Sequence, residues 1–371
     1  MAYRRVVVKA GTNVLTSQGE TLDHSAMASL TAQIVGIRKS GANAILVTSG
    51  AIAAGREVVK TIYDAKSVGV NQMLAAVGQS RLMHAYQDLF SAHGIVVAQA
   101  LLTHQDVEDR RGYLNVRNTF STLLANNVMP IVNENDFVNT EEISQYRFGD
   151  NDTLSALVAN IVDADLLLIL SDVAGLYSSD PNRDANAKLI ERVESVDAEI
   201  LALAEEHRSS TTRGGMQSKL LAARRATAAG VNVVIASGSV ADVVTRVVAG
   251  QSIGTLFPAT ASQVESRKRW LLSGTADRGG VVVVDDGAVN AIRTQDKSLL
   301  PAGIRDIWGD FHRGDVVAVA EPGGRRIAVG ITNYDAQDLR SIRGAKSADI
   351  ANLLGHSYGE EAIHRNNMVV L

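Results

Sequence analysis

No cysteine occurs anywhere in this chain, which excludes disulfides, thiolate metal ligation and cysteine nucleophiles together. Proline is sparse at five residues and aromatics make up only 4%. A long apolar run is also missing. The stretch Ala164–Leu170, broken by Asp165, is far too short to span a bilayer. The opening MAYRRVVVKAGT carries two arginines but only a three-residue apolar run, too little for a signal-peptide core. A soluble, cytoplasmic protein is expected. Charge of one sign is missing too. The formal net charge is −4, so no global field favours nucleic acid or an anionic membrane. The eight histidines show no metal-ligand spacing, and no protein metal site is expected.

What is present is 46% apolar residues over 371 positions, enough for two domains with sizeable cores. Runs rich in Val, Ile and Leu fall near 5–9, 43–48, 95–101, 128–132, 165–170 and 231–236. They alternate with helical patterns near 23–39, 69–92, 113–127, 151–162, 196–207 and 215–229. Strands without polar alternation are buried on both faces. The alternation predicts an α/β domain, an open and mostly parallel sheet with helices on both faces, over 1–257. A junction over 258–277 leads to a small, mostly β domain over 278–371, where short β-like runs are separated by turn signals such as Pro322-Gly-Gly324.

Short polar motifs sit where the apolar strands end: Lys9-Ala-Gly-Thr12, Thr48-Ser-Gly-Ala51, Asn133-Glu-Asn-Asp136 and Ser171-Asp172. Two more, Gly149-Asp-Asn-Asp152 and Gly214-Gly-Met-Gln-Ser-Lys219, open helical runs. Ligands bind at the carboxyl ends of strands in such sheets, so these motifs describe one large site. Lysines, carboxylates, amides and glycines suit a phosphorylated, metal-bound nucleotide beside a small charged substrate. Gly50-Ala-Ile-Ala-Ala-Gly55 has the spacing of a phosphate loop, but Arg56 and Glu57 follow where Lys and Ser/Thr are needed, so a tight strand-to-helix turn is expected. Ser49 and the amides after it could hold a small carboxylate.

Lys9 is either a solvated strand end or a phosphate ligand, and Gly11-Thr12 favours the second because glycine lets amides approach an anion. Lys219 alone reads as a surface lysine; with Lys9 it becomes a second positive arm for phosphoryl transfer. Of Asp150, Asn151 and Asp152, one is expected to cap the helix, and the surplus suggests a partner for a substrate ammonium or a metal. Asp136 and its neighbours exceed what a turn requires.

The ordered motifs KAGT, TSGAIAAGR, LLAAVGQSRL, VNEND, GDNDTLSA, LLILSD, GLYSSDP, GGMQSK, SIGTLFPA and RKRW resemble those of the bacterial glutamate 5-kinase family over nearly the whole chain. The first part looks like an amino-acid-kinase domain. The last, with FHRGDVVAVA and GRRIAVGITNYDAQDLRSIRG, looks like a PUA domain. The resemblance implies ATP-dependent phosphorylation of the L-glutamate γ-carboxylate, the first step of proline synthesis, with Mg2+. It implies ATP contacts from Lys9, Ser171, Asp172, Arg213, Gly214, Gly215, Met216, Gln217, Ser218 and Lys219, and glutamate contacts from Ser49, Asp136 and Asn151. Lys9 and Lys219 would stabilise the moving phosphoryl group, and Asp150 would orient the lysines. Arg213 departs from the family, which has a small residue before Gly-Gly-Met. Proline as feedback inhibitor, a homo-oligomer (dimer or tetramer) and transfer of product to the next pathway enzyme are further implications. Two alternatives are a related kinase with another acceptor (aspartate, N-acetylglutamate, carbamate or UMP) and an RNA-binding protein. Against the second, 278–371 hold 11 basic and 12 acidic residues, whereas nucleic-acid binders carry a basic excess.

Overall fold

Valine- and leucine-rich segments that bury both faces form the spine of the fold, described by a computed structural model. The structure describes residues 3–59, 67–108, 110–138, 151–181, 183–184, 186–206, 215–260, 262 and 280–371. The chain divides into two compact units, Met1–Val107 with Thr119–Ala261, and Glu108–Asn118 with Ser262–Leu371.

In the first unit seven strands form one sheet in the order β3-β4-β2-β1-β5-β6-β7. The strands are β1 (Arg5–Ala10), β2 (Asn43–Thr48), β3 (Val97–Leu102), β4 (Met129–Glu134), β5 (Leu166–Ser171), β6 (Asn232–Ser237) and β7 (Thr255–Phe257). All neighbours are parallel except β7, which runs antiparallel to β6. Val6, Val8 and Ala10 of β1 share a core with residues of α2 (His24–Lys39), α4 (Val68–Ser91) and α10 (Val243–Val248). The alternate residues Val7, Ile45, Val47, Leu167 and Ile169 are equally buried, so the sheet is covered on both sides. The helix α2 starts at Asp23, whose carboxylate accepts from the amides of Ser25 and Ala26, a cap read directly from the residue type. It ends before Gly41, whose φ of +96° suits glycine.

The chain order reverses around β1: β2 lies on one side and β5 on the other. In open α/β sheets the ligand crevice forms at the carboxyl ends of the strands beside such a switch point. Lys9, Ser49, Asn133 and Ser171 all lie at those ends.

The residues Gly50 and Gly55 belong to packing rather than to a phosphate loop. Gly50 has φ +101° at the sharp turn from β2 into α3 (Ala51–Arg56). A Cβ at Gly55 would lie 2.1 Å from the Leu74 carbonyl oxygen, and one at Gly78 would lie 1.8 Å from that of Ala51. The two glycines let α3 and α4 cross with their backbones in contact.

The second unit holds a five-stranded sheet of β8 (Val281–Val284), β9 (Ile304–Trp308), β10 (Val316–Ala320), β11 (Arg326–Ile331) and β12 (Met368–Val370), in the order β12-β11-β10-β8-β9. Pairings are antiparallel except β10 with β8. The helix Asp286–Gln295, capped by Asp285, was not expected from the sequence pattern. Leu114, from Glu108–Asn118, packs with Val316, Val329, Ile331 and Val369. Among the described residues no helix is long and apolar enough to cross a membrane.

Candidate active site

Alternation along β1 turns Lys9 away from Val6 and Val8, to the face on which α7 (Asn151–Ile161) packs. The helix α9 (Met216–Ala228) packs against α7, and its first turn carries Ser218 and Lys219. Three separate stretches of chain therefore deliver their polar ends to one point.

That point is Asp152, in the first turn of α7 and 0% exposed. Its Oδ1 lies 2.6 Å from Lys9 Nζ and its Oδ2 lies 3.1 Å from Lys219 Nζ. The hydroxyl of Ser218 donates to Oδ2 at 2.8 Å. Both lysines are themselves almost fully buried, at 4% and 7% exposure. Burial opposes the charged form of Asp152, but the Lys9 and Lys219 ammonium groups and the hydrogen bonds from Lys9 and Ser218 outweigh it. They hold the carboxyl well below the usual carboxylate range. The start of a helix also favours a carboxylate, whereas it disfavours Lys219 in the first turn of α9. The lysine is kept there by its carboxylate partner.

The Ser171-Asp172 motif at the end of β5 is adjacent in the sheet. Ser171 is buried and its hydroxyl donates to Asp172 Oδ1 at 3.0 Å. Asn13, just after β1, donates to Asp172 Oδ2 at 2.7 Å. Desolvation raises the pKa of Asp172, but the bonds from Asn13 and Ser171 and the charge of Lys219 lower it further, to a net fall. Gly215 precedes α9 in an extended conformation, so the amides of Met216 and Gln217 lie at an open helix start. Asp150, Arg213 and Gly214 lie outside the described residues.

Ser49, Asn133 and Asn151 meet on the other side of β1. Asn151 Nδ2 donates to Ser49 Oγ at 3.0 Å and to Asn133 Oδ1 at 3.2 Å. Asn133 Nδ2 donates to Gln79 Oε1 at 2.8 Å. Asp136 follows in the turn after β4 and lines a cavity of about 390 Å³ with Gln79, Ser80, Gln99, Glu134 and Asn135. That volume admits a small amino acid. Among the described residues no group of three or more histidine and acidic side chains could hold a metal ion.

The structure thus brings together Lys9, Lys219, Ser218, Ser171 and Asp172 on one side, and Ser49, Asn133 and Asn151 on the other, with Asp136 lining the cavity beside Gln79. Sequence reasoning missed Asp152 as a link between the lysines; Asp150, to which the resemblance gives the orienting role, lies outside the described residues. Asn13 and Gln79 were missed as well. Gln79 stood inside the quoted run LLAAVGQSRL, where it looks like an ordinary helix residue.

The sequence of residues 4–237 matches the model of the amino acid kinase family, and residues 280–354 match the PUA domain. The chain is 47% identical over 369 residues to a protein named glutamate 5-kinase from Dehalococcoides mccartyi (strain ATCC BAA-2266 / KCTC 15142 / 195), covering 100% of this chain and 99% of that one. A protein of the same name from Nitrosospira multiformis is 48% identical over 368 residues, 99% and 98% of the two chains. Another from Shewanella oneidensis is 48% identical over 371 residues, 100% and 99%.

Proposed function

The chain belongs to the amino acid kinase family, and to the glutamate 5-kinases within it, and from that premise we infer that it transfers the γ-phosphoryl group of ATP to the γ-carboxylate of L-glutamate, as the first step of proline biosynthesis. The observation that carries the chemistry is the buried Lys9–Asp152–Lys219 bridge. Two ammonium groups are held 2.6 and 3.1 Å from one carboxylate, at the carboxyl edge of the central strand.

The acceptor is a carboxylate with an ordinary pKa of about 4.3. It is ionised at neutral pH and needs no general base, which accords with a site built from lysines and amides. One γ-carboxylate oxygen attacks the γ-phosphorus in line, the bond to the β,γ-bridging oxygen breaks, and ADP leaves with that electron pair. The protein's task is to hold two anions together and to neutralise charge as it moves between them. Lys9 and Lys219 supply that charge, and the amides opening α9 add donors. Asp152 is a positioning residue: it holds both ammonium groups in place. Asp150, Arg213 and Gly214 keep the roles the resemblance gives them, as proposals. Ser171 and Asp172 line the nucleotide side. Ser49, Asn151 and Asp136 take the acceptor, with Asp136 suited to its ammonium group.

Mg2+ enters as the ATP complex. Both oxygens of Asp152 face lysines, and those of Asp172 take Asn13 and Ser171. The ion would arrive held mostly by phosphate oxygens and water, its usual habit, and would supply charge neutralisation on the phosphates. The domain reading is catalytic over 1–257, a junction over 258–277 and a PUA-like unit over 278–371, with a regulatory or oligomer-stabilising role for the last. A cytoplasmic dimer or tetramer, inhibited by proline at or over the glutamate pocket and passing its product to the next enzyme, completes the proposal.

ATP turnover with L-glutamate, aspartate and N-acetylglutamate tests the acceptor, and the same assay on Lys9→Ala and Lys219→Ala tests the site. Glutamate is expected to react fastest, and each variant to lose at least about 100-fold in kcat with its fold intact. Aspartate reacting faster would overturn the acceptor; near-normal turnover in both variants would overturn the lysine assignment.

A further inference from the structure

The acceptor pocket contains a side chain that the reaction above does not use. Gln79, on α4, lines the cavity beside Asp136. Its Oε1 accepts from Asn133, and Asn133 Oδ1 accepts from Asn151. Each amide nitrogen gives to the next amide oxygen, so the run has a direction and two open ends. At one end is Asn151 Oδ1, at the other Gln79 Nε2; both are buried and neither has a hydrogen-bond partner among the described residues. An amide nitrogen only donates, and a buried donor left unpaired is costly. No lysine or arginine is among the described residues lining the cavity, while Glu134 and Asp136 are. A negatively charged group entering here meets two carboxylates and needs a donor.

We propose that Gln79 is a specificity-determining residue of the acceptor site, its Nε2 donating to the α-carboxylate of the amino-acid substrate. This rests on the reading that the pocket takes glutamate. Gln79 stands two amide hydrogen bonds from Asn151, the neighbour of Asp152. It therefore serves the end of the acceptor remote from phosphoryl transfer, where the α-carboxylate lies once the γ-carboxylate faces the lysines. The amide run joins the two ends: turning over one amide would force its partners to turn over too, so Gln79 can offer N–H only while Asn151 offers C=O.

The experiment compares L-glutamate with its α-amide as acceptors at saturating MgATP, following ADP release. The α-amide keeps the γ-carboxylate and the ammonium group and loses only the α-carboxylate charge. The native enzyme is expected to prefer glutamate in kcat/KM by about 10- to 100-fold, the worth of a charge-assisted hydrogen bond. In Gln79→Met the preference falls toward unity. In Gln79→Glu it reverses, because the new carboxylate still accepts from Asn133, repels the α-carboxylate and accepts from the α-amide. KM for ATP stays unchanged in both variants, which a general structural defect would not produce. A native enzyme that uses both acceptors equally overturns the proposal without any variant, as does Gln79→Glu keeping the native preference. A native enzyme that phosphorylates neither acceptor overturns instead the reading of the reaction.

Discussion

Replacing Asp152 by asparagine tests the centre of the site most directly. The change keeps the shape and the acceptor for Ser218 but removes the charge between two buried ammonium groups. At an effective dielectric constant near 20, a unit charge pair at these separations is worth about 5–6 kcal/mol before desolvation. Withdrawing ions from water cancels part of this, and breaking a buried ion pair from one side costs about 3–5 kcal/mol net. That is a large part of the roughly 5–15 kcal/mol that holds a domain folded. In thermal unfolding the first unit is expected to lose about 10 °C, at 2–4 °C per kcal/mol for its size. The catalytic consequence is separable. Without Asp152 the lysines repel one another, so at least about 100-fold is lost from kcat. The pocket gains a unit of positive charge, so KM for ATP does not rise. The pH dependence follows from the depressed pKa of Asp152. A carboxylate whose folded pKa lies below its unfolded value contributes stability that is complete above the unfolded value, near 4, and is lost as pH falls through the folded one. The stability gap between the native protein and Asp152→Asn is constant from pH 8 to 5 and narrows below about pH 4. Turnover within threefold of native, or a gap that widens in acid, refutes the argument.

Two packing predictions reach the same site from outside. Gly78→Ala places a Cβ 1.8 Å from the Ala51 carbonyl oxygen, so α3 and α4 must separate, at about 3 kcal/mol in chemical denaturation; because Gln79 is the next residue, KM for glutamate should rise more than KM for ATP. Tyr86 is fully buried and its hydroxyl lies 2.8 Å from Thr48 Oγ1. Tyr86→Phe should cost about 1 kcal/mol, since Thr48 keeps its bond to the Ser49 carbonyl, and should leave kcat within twofold.

The sheet was legible in the sequence because its strands are buried on both faces and read as unbroken Val, Ile and Leu. Gly41, Gly94 and Gly230, each just beyond a helical pattern, all have positive φ. The antiparallel β7 was not legible, because Thr255–Phe257 is three residues long and carries no period. The helix Asp286–Gln295 was missed because the valine runs on either side of it set the expectation of a β unit. Within the site, Lys9 was suspected from its glycine neighbour and Lys219 from its pairing with Lys9, but nothing in spacing brings together residues so far apart in the chain. Asp150, Asn151 and Asp152 are all good helix starters, so residue type cannot say which of them faces the lysines. Gln79 was hidden for the opposite reason: a glutamine on a long helix is ordinary until the neighbours of its nitrogen are known.

The Asp152 bridge has a bearing on how the protein comes into being. Its three members emerge from the ribosome in the order Lys9, Asp152, Lys219, the last after more than half of the chain has been made. A nascent chain therefore holds one ammonium group, then an ion pair, and only late a pair of cations able to grip a triphosphate. On the proposed function, a product truncated before Lys219 lacks half of the positive charge meant for the triphosphate, so nucleotide affinity is expected to appear during synthesis only once β1, α7 and α9 have docked.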